Sequence, residues 1–341
     1  MDQSYDALLV VSFGGPERNE DVLPFLENVL RGRNVPRERM LEVAEHYYQF
    51  SGKSPINDQV RALIAALERE LAAHGPKLPI YWGNRNWHPM LADTVRKMQS
   101  DGVRRALAFV TSAFGSYSGC RQYREDIERA RTAVGDGAPE IFKLRTFHNH
   151  PGFIQAAIDH VREAFAHVPE DRRAAARLVF TAHSIPQSMA ESSPYVKQLR
   201  DACGLVAEAL GRTWALVYQS RSGPPQQPWL EPDICDAIRG WHAEGGLRDL
   251  VILPIGFLSD HLEVKYDLDT QAAALCNELG VGFHRAATAG VHPAFVSMIR
   301  ELILEQTEGA TPRYLGVLEI DPALCNPQCC AAPQRPTQRP A

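Results

Sequence analysis

Long apolar runs are missing from this chain. The best, LVILPIGFL at 250–258, has nine residues, whereas a helix across a bilayer needs about 20. Surplus charge is also small: 36 Lys and Arg stand against 41 Asp and Glu, a formal −5. That balance argues against a general nucleic-acid binder. The basic residues do cluster locally, as in RGRNVPRER at 31–39. Such a run is either a solvated face or a pocket for an anionic ligand. Phosphate-cradling glycine loops are absent. No G-x-G-x-x-G follows the first apolar run, where SFGGPE (12–17) has another spacing, and no P-loop occurs. This argues against the two commonest uses of an α/β chain. Cysteine is sparse and odd in number, at seven. The start, MDQSYDALLVV, has no basic n-region and no cleavage site. It reads as a first strand, so reduced thiols, no transmembrane segment and a cytoplasmic protein are expected.

The 341 residues, 45% hydrophobic and 23% charged, supply ample core. Short apolar runs at 7–13, 79–85, 106–114, 177–183, 214–220 and 250–257 carry few charges, as strands buried on both faces do. Between them, 57–74, 88–102 and 193–211 repeat apolar residues at three- and four-residue spacing, the mark of amphipathic helices. Strand and helix in alternation predict an α/β fold of parallel sheets flanked by helices. GVRRALAFVTSAF (102–114) and GLRDLVILPIGF (246–257) share a layout. The expectation is therefore two similar Rossmann-like halves, 1–150 and 151–315, with a cleft between them. A cysteine-containing, Pro-rich tail follows at 316–341.

In open α/β sheets, ligands bind beyond the C-terminal strand ends. The strand RLVFTAH ends at His183, with Ser184 placed to orient the ring and Pro186 to pin the turn. A capping or buried histidine is the bland alternative to a proton acceptor or metal ligand. The strand at 250–257 runs into SDHLEVKYDLDTQ, where Asp260, His261, Glu263, Asp267 and Asp269 crowd together. If a helix starts near Asp260, then Glu263, Asp267 and Gln271 form one polar line at four-residue spacing. Ordinary Glu/Lys pairing through Lys265 is the competing reading. Carboxylate and imidazole donors suit Fe2+ and similar ions.

SGKSPI (51–56), SYSGCRQY (116–123), TAHSIP (181–186) and GFLSDHLEVKYDLD (256–269), in order across the two halves, resemble the ferrochelatases. The resemblance runs from about residue 7 to 315. It is closest to the actinobacterial type, on SFGGPE, FLENVLRGR and YSGCRQYRE. It implies an enzyme that inserts Fe2+, as substrate, into coproporphyrin III to give coproheme in haem biosynthesis. Contact with downstream haem-synthesis enzymes is implied as well. Alternatives are protoporphyrin IX as the substrate, cobalt or nickel as the metal, and a non-catalytic tetrapyrrole carrier. By resemblance, His183 accepts pyrrole protons or holds the iron, Glu263 faces it, and Asp267 continues a proton or metal path. Arg31, His46, Ser54 and Tyr123 occupy places that would meet porphyrin propionates, with ordinary packing or surface duty as the alternative. Phe13 stands where a Gram-positive branch has a ligating tyrosine and cannot itself ligate. The polar segment 31–49 replaces an apolar lip and favours the tetra-anionic substrate.

The tail spacing C-x3-C-C, through Cys325, Cys329 and Cys330, suits zinc or an iron–sulfur cluster. The resemblance implies a [2Fe–2S] cluster with one further upstream cysteine. Counted from TAHS, that position falls near Ala156 and Ala157, so the fourth ligand is unidentified. Cys120, Cys203, Cys235, Cys276 and non-cysteine donors stay open, as does a tail that is simply reduced.

Overall fold

A computed structural model describes residues 4–32, 35–224, 226–320 and 329–332. The expected α/β architecture is present as two four-stranded parallel sheets. The first contains β1 (Ala7–Ser12), β2 (Ile80–Asn84), β3 (Arg105–Val110) and β4 (Glu140–Lys143), in the order β2-β1-β3-β4. The second contains β5 (Arg177–His183), β6 (Trp214–Gln219), β7 (Asp249–Leu253) and β8 (Gly282–Arg285), in the order β6-β5-β7-β8. The two orders are the same, so β1 and β5 occupy corresponding central places. Each is also the strand at which connections diverge to opposite sides, which opens a crevice beyond its C-terminal end.

Side-chain alternation divides the core. Leu8 and Val10 of β1 join Leu178 and Phe180 of β5 in one large cluster. Ala7, Leu9 and Val11 face a separate outer cluster, and Val179 and Ile252 face another. The shared cluster is filled by four helices: Ile56–His74, Pro151–Ala166, Tyr195–Leu210 and Pro293–Thr307. Phe295 of the last helix meets Phe109 of β3 at 6.3 Å between ring centroids. The two sheets are thus joined by a continuous apolar layer, which holds their strand ends in a fixed relation.

Differences from the sequence reading have local causes. β3 stops at Val110 and β7 at Leu253, short of the expected 114 and 257. Pro254 has no N–H to extend the ladder, and 111–116 leads into the helix Tyr117–Arg121. The short edge strands β4 and β8 lack the strong apolar runs of the central strands, and most of their residues are partly exposed. In the turn at SGKSPI, Ser51 and Gly52 have φ of 54° and 69°. A Cβ on Gly52 would lie 2.4 Å from the backbone nitrogen of Asn19, so this turn can sit against the start of helix Asn19–Leu30 only with glycine there.

Candidate active site

β5 delivers His183 to the end of the second sheet's central strand. Its Nδ1 lies 2.5 Å from the backbone oxygen of Ser184. A carbonyl only accepts, so Nδ1 carries the proton and a neutral ring keeps its lone pair on Nε2. The expected orienting hydroxyl of Ser184 is used elsewhere: Oγ donates to Leu230 O at 2.8 Å, and the main chain orients the ring instead. Tyr195 Oη donates to His183 O at 3.0 Å and fixes the strand end from below.

The loop after β7 reaches the same point because residue 256 is glycine. A Cβ there would stand 2.7 Å from both Cα and Cβ of Ala182, and Gly256 N donates to Thr181 O at 3.1 Å. The chain then turns into Leu262–Val264. The His261 ring caps this helix, its Nδ1 accepting from Glu263 N at 3.2 Å. Burial pushes the His261 imidazole below its ordinary value, which suits an accepting nitrogen. Glu263 Oε2 ends 3.6 Å from His183 Nε2. Both side chains keep access to solvent, at 32% and 47%.

The segment Lys265–Ala272 is a π-helix rather than the expected α-helix. Its wider turn, with i to i+5 bonding, moves Asp267 and Gln271 off a single four-residue line. Gln271 is exposed. Asp267 turns inward, where it accepts from Ser220 Oγ and, at 3.4 Å, from Gln219 Nε2. Gln219 is buried and bridges the layers, since its Oε1 accepts from Thr181 Oγ1 at 2.8 Å. Ser220 has a φ of 63°, a left-handed conformation that a non-glycine residue adopts at a cost. Burial raises the Asp267 carboxyl to about 6; the Ser220 hydrogen bond opposes this, and the Glu263 charge adds to it. The sequence reading missed Gln219 and Ser220, whose only signal was their place at a strand's C-terminal end.

Two residues of the acidic crowd belong to the scaffold. Arg285 of β8 holds Asp260 by two bonds of 3.1 and 2.8 Å. It also pairs with Asp269 at 2.5 Å. Their charges are neutralised away from the His183–Glu263 pair.

The first half contributes the facing wall. His46 of helix Arg37–Tyr48 stacks on Tyr266 of the π-helix, with centroids 3.9 Å apart and planes 15° apart. Tyr47 is close enough to Glu263 that its carboxylate adds to burial in raising the phenol. Phe13, just after β1, is partly exposed and packs edge-on to Phe25. Arg31 is exposed and bonded to Asn28 at 2.5 Å. Ser54 is buried, beneath the place where a Cβ on Gly15 would be 2.7 Å from its own. Tyr123 is buried with its ring under the Arg85 guanidinium, 4.4 Å away, and Arg85 is paired with Asp126. The structure therefore brings together His183, Glu263 and Asp267, and stacks His46 against the π-helix that carries Asp267. Ser54 and Tyr123 lie beneath the surface, each within its own packing environment.

The arrangement sets an imidazole nitrogen 3.6 Å from a carboxylate oxygen, with the buried carboxyl of Asp267 behind them. The Ferrochelatase family model matches residues 5–307. The chain belongs to the ferrochelatase family. A ferrochelatase of Rhodopirellula baltica is 57% identical over 97% of this chain and 95% of its own length. The coproporphyrin III ferrochelatase of Nocardia farcinica is 53% identical over 97% of this chain and 98% of its own length. Among solved structures, SirB from Bacillus subtilis with Fe3+ superposes with a TM-score of 0.54 at 14% identity, over 90% of this chain and 98% of that one. At that identity the likeness shows a shared fold. Among the described residues, no helix of this ferrochelatase family member is long and apolar enough to cross a membrane.

Proposed function

We propose that this protein inserts Fe2+ into coproporphyrin III to give coproheme. The observation that carries the reading is the 3.6 Å separation of His183 Nε2 and Glu263 Oε2 beyond the strand ends of the second sheet. Insertion replaces two pyrrole N–H protons with one metal ion. The nitrogen lone pairs of a flat macrocycle lie in its plane, so the ring must bend to present them, a strain met from binding energy. His183 Nε2 accepts the protons one at a time. Glu263 stabilises the resulting imidazolium and presents a carboxylate oxygen to the incoming ion. Asp267 takes protons onward, which a carboxyl raised to about 6 does readily near neutrality.

The tetra-anionic substrate is supported by the polar helix Arg37–Tyr48, where Arg37, Glu38 and Arg39 are exposed, and by the printed names of relatives such as that of Nocardia farcinica. His46 and Arg31 are proposed as propionate partners from the rim. Ser54 and Tyr123 would reach a propionate only if the cleft opens around it. Steady-state insertion assays under argon with coproporphyrin III and protoporphyrin IX test the reading. Higher kcat/KM for coproporphyrin supports it. Equal or reversed preference overturns the substrate assignment, and no insertion into either overturns the activity.

Two chain halves meeting near residue 150, contact with downstream haem-synthesis enzymes and cytoplasmic residence complete the proposal. The last is supported by Cys203 and Cys276, buried as thiols in apolar clusters. We further read the tail as bearing a [2Fe–2S] cluster. Support comes from Cys329 and Cys330, whose Sγ atoms lie 3.4 Å apart. Cys325 falls outside the described residues. The upstream place expected at Ala156 and Ala157 is buried in helix Pro151–Ala166 and offers no donor.

A further inference from the structure

We propose that His150 and His292 form a reciprocal latch between the two sheets, and that its His292 end opens when that imidazole takes up a proton. The chain repeats a short motif, HPGF at 150–153 and HPAF at 292–295. Each copy starts a helix, Pro151–Ala166 or Pro293–Thr307, with proline in the first turn, where its missing N–H removes no helical bond. Each histidine is the cap. His150 Nδ1 accepts from Gly152 N at 3.1 Å, and His292 Nδ1 accepts from Ala294 N at 3.2 Å. The proton of each neutral ring is therefore on Nε2. His150 Nε2 stands 3.4 Å from Glu301 Oε2, and His292 Nε2 stands 3.4 Å from Asp159 Oδ2. Each cap thus reaches a carboxylate of the opposite helix, at the matching position along it. The helices cross closely beside the caps, since a Cβ on Gly152 would lie 2.4 Å from Ala294 O. They are also exchanged between the sheets. Helix Pro151–Ala166 follows β4 of the first sheet yet packs on β7 and β8 of the second. Helix Pro293–Thr307 follows β8 yet packs on helix Ile56–His74, with Phe295 against Phe109 of β3. Holding the two caps therefore holds one sheet against the other.

The two ends meet a proton differently. The His150 side chain is 0% exposed. Burial, and then the charges of Arg145 and Arg313, push its imidazole down to about 3. Arg145 is itself paired with Glu305, and Arg313 with Glu301. This end stays neutral through the range in which enzymes are assayed. The His292 side chain is 18% exposed, so a proton can reach it. The charged groups facing it are Asp159, His160 and Glu163, all on helix Pro151–Ala166. Burial lowers its imidazole, as does His160, whose ring lies edge-on at 5.2 Å; the two carboxylates oppose the shift. A protonated His292 loses the lone pair that accepts from Ala294 N, and it sets a cation at the positive end of a helix. The folded chain thus binds this proton less readily than the unfolded chain. The cap is at full strength above the ordinary imidazole value of 6.5 and weakens as pH falls below it.

Hydrogen exchange of the full chain at pH 7.5 and 5.5, corrected for intrinsic rates and read by mass spectrometry, tests the latch. In wild type, residues 293–300 should open roughly threefold to tenfold more at pH 5.5, the upper figure being that of a cap lost one pH step below 6.5. Residues 151–158 should not change. His292→Asn keeps a capping acceptor that does not titrate, so its 293–300 segment should exchange alike at both pH values. The proposal is overturned by equal wild-type exchange at both values, by an equal rise in both segments, or by a pH effect that survives in His292→Asn. The wild-type comparison decides by itself if the variant folds poorly. A second arm rests on the insertion activity proposed above. The ratio of His292→Asn to wild-type initial rates cancels His183 and Asp267, which both proteins share. It should be near one at pH 7.5 and rise at least about twofold at pH 5.5. A ratio of one at both values overturns the link between latch and site, whereas a protein that inserts no metal overturns the activity and not the latch.

Discussion

His183 and Glu263 come from separate strand–helix units, yet Nε2 and Oε2 stand 3.6 Å apart. Neither is held there by the other. The Ser184 carbonyl fixes one ring nitrogen, and the close approach of Gly256 to Ala182 sets the loop that carries the carboxylate. A pair built this way is preorganised before substrate arrives.

Removing either member should therefore damage chemistry more than binding. His183→Ala and Glu263→Gln are expected to lower kcat for metal insertion by roughly 10²–10⁴. Coproporphyrin binding, followed by fluorescence quenching, should change little. Insertion within a few-fold of wild type would remove these side chains from the mechanism.

Gly256→Ala tests the placement itself. The added methyl meets backbone and side chain of Ala182 at 2.7 Å, so strand β5 or the loop must shift. Overpacking of this kind costs roughly 1–3 kcal/mol. The expected result is a lower denaturation midpoint and a fall in kcat larger than that of a surface substitution, because His183 and Glu263 move apart. Unchanged kcat would show that the loop is not set at this contact.

Asp267 makes the pH dependence specific. Its folded-state value, about 6, lies above the ordinary carboxyl value of 3.8. Ionisation therefore favours the unfolded chain. The penalty is absent below the unfolded value, grows between there and about 6, and is complete above. Asp267→Asn removes it and keeps an acceptor for Ser220. Stability at pH 7.5 should rise by roughly 1–3 kcal/mol, while kcat falls and its dependence on pH near 6 flattens. Chemical denaturation at pH 5 and 7.5, run beside initial rates, checks both halves; a variant less stable at pH 7.5 would contradict the burial argument.

Ser220 separates strain from hydrogen bonding. Ser220→Gly relieves the left-handed backbone but deletes the bond to Asp267, whereas Ser220→Ala keeps the strain and loses the same bond. Glycine should be the more stable variant by about 1 kcal/mol. Both should move the Asp267 titration to higher pH, because the lost bond held it down. Urea midpoints and pH–rate profiles report the two effects independently; a profile unmoved in both variants would uncouple Ser220 from the acid.

How much of the site could be read in advance follows from the kind of contact involved. His183 was legible because a buried strand that ends in an imidazole is a local pattern. Glu263 was legible because an acidic crowd directly follows β7, the neighbour of β5 in the same sheet. The π-helix was not, since sequence spacing alone does not choose between i+4 and i+5 bonding. Tyr123 looked like an available hydroxyl in its motif, yet Arg85, brought from the loop after β2, covers its ring. Asp260 and Asp269 looked like metal donors until Arg285 of the edge strand β8 was seen to hold both.

The amino-acid order by itself determined the repeated strand–helix units, the buried parallel sheets and the imidazole at a strand end, because alternation and apolar runs act over neighbouring residues. Only the tertiary structure decided which carboxylates face that imidazole and which are bound by Arg285. Those outcomes depend on contacts between residues far apart in the chain, and they are set when the shared core brings the two sheets together.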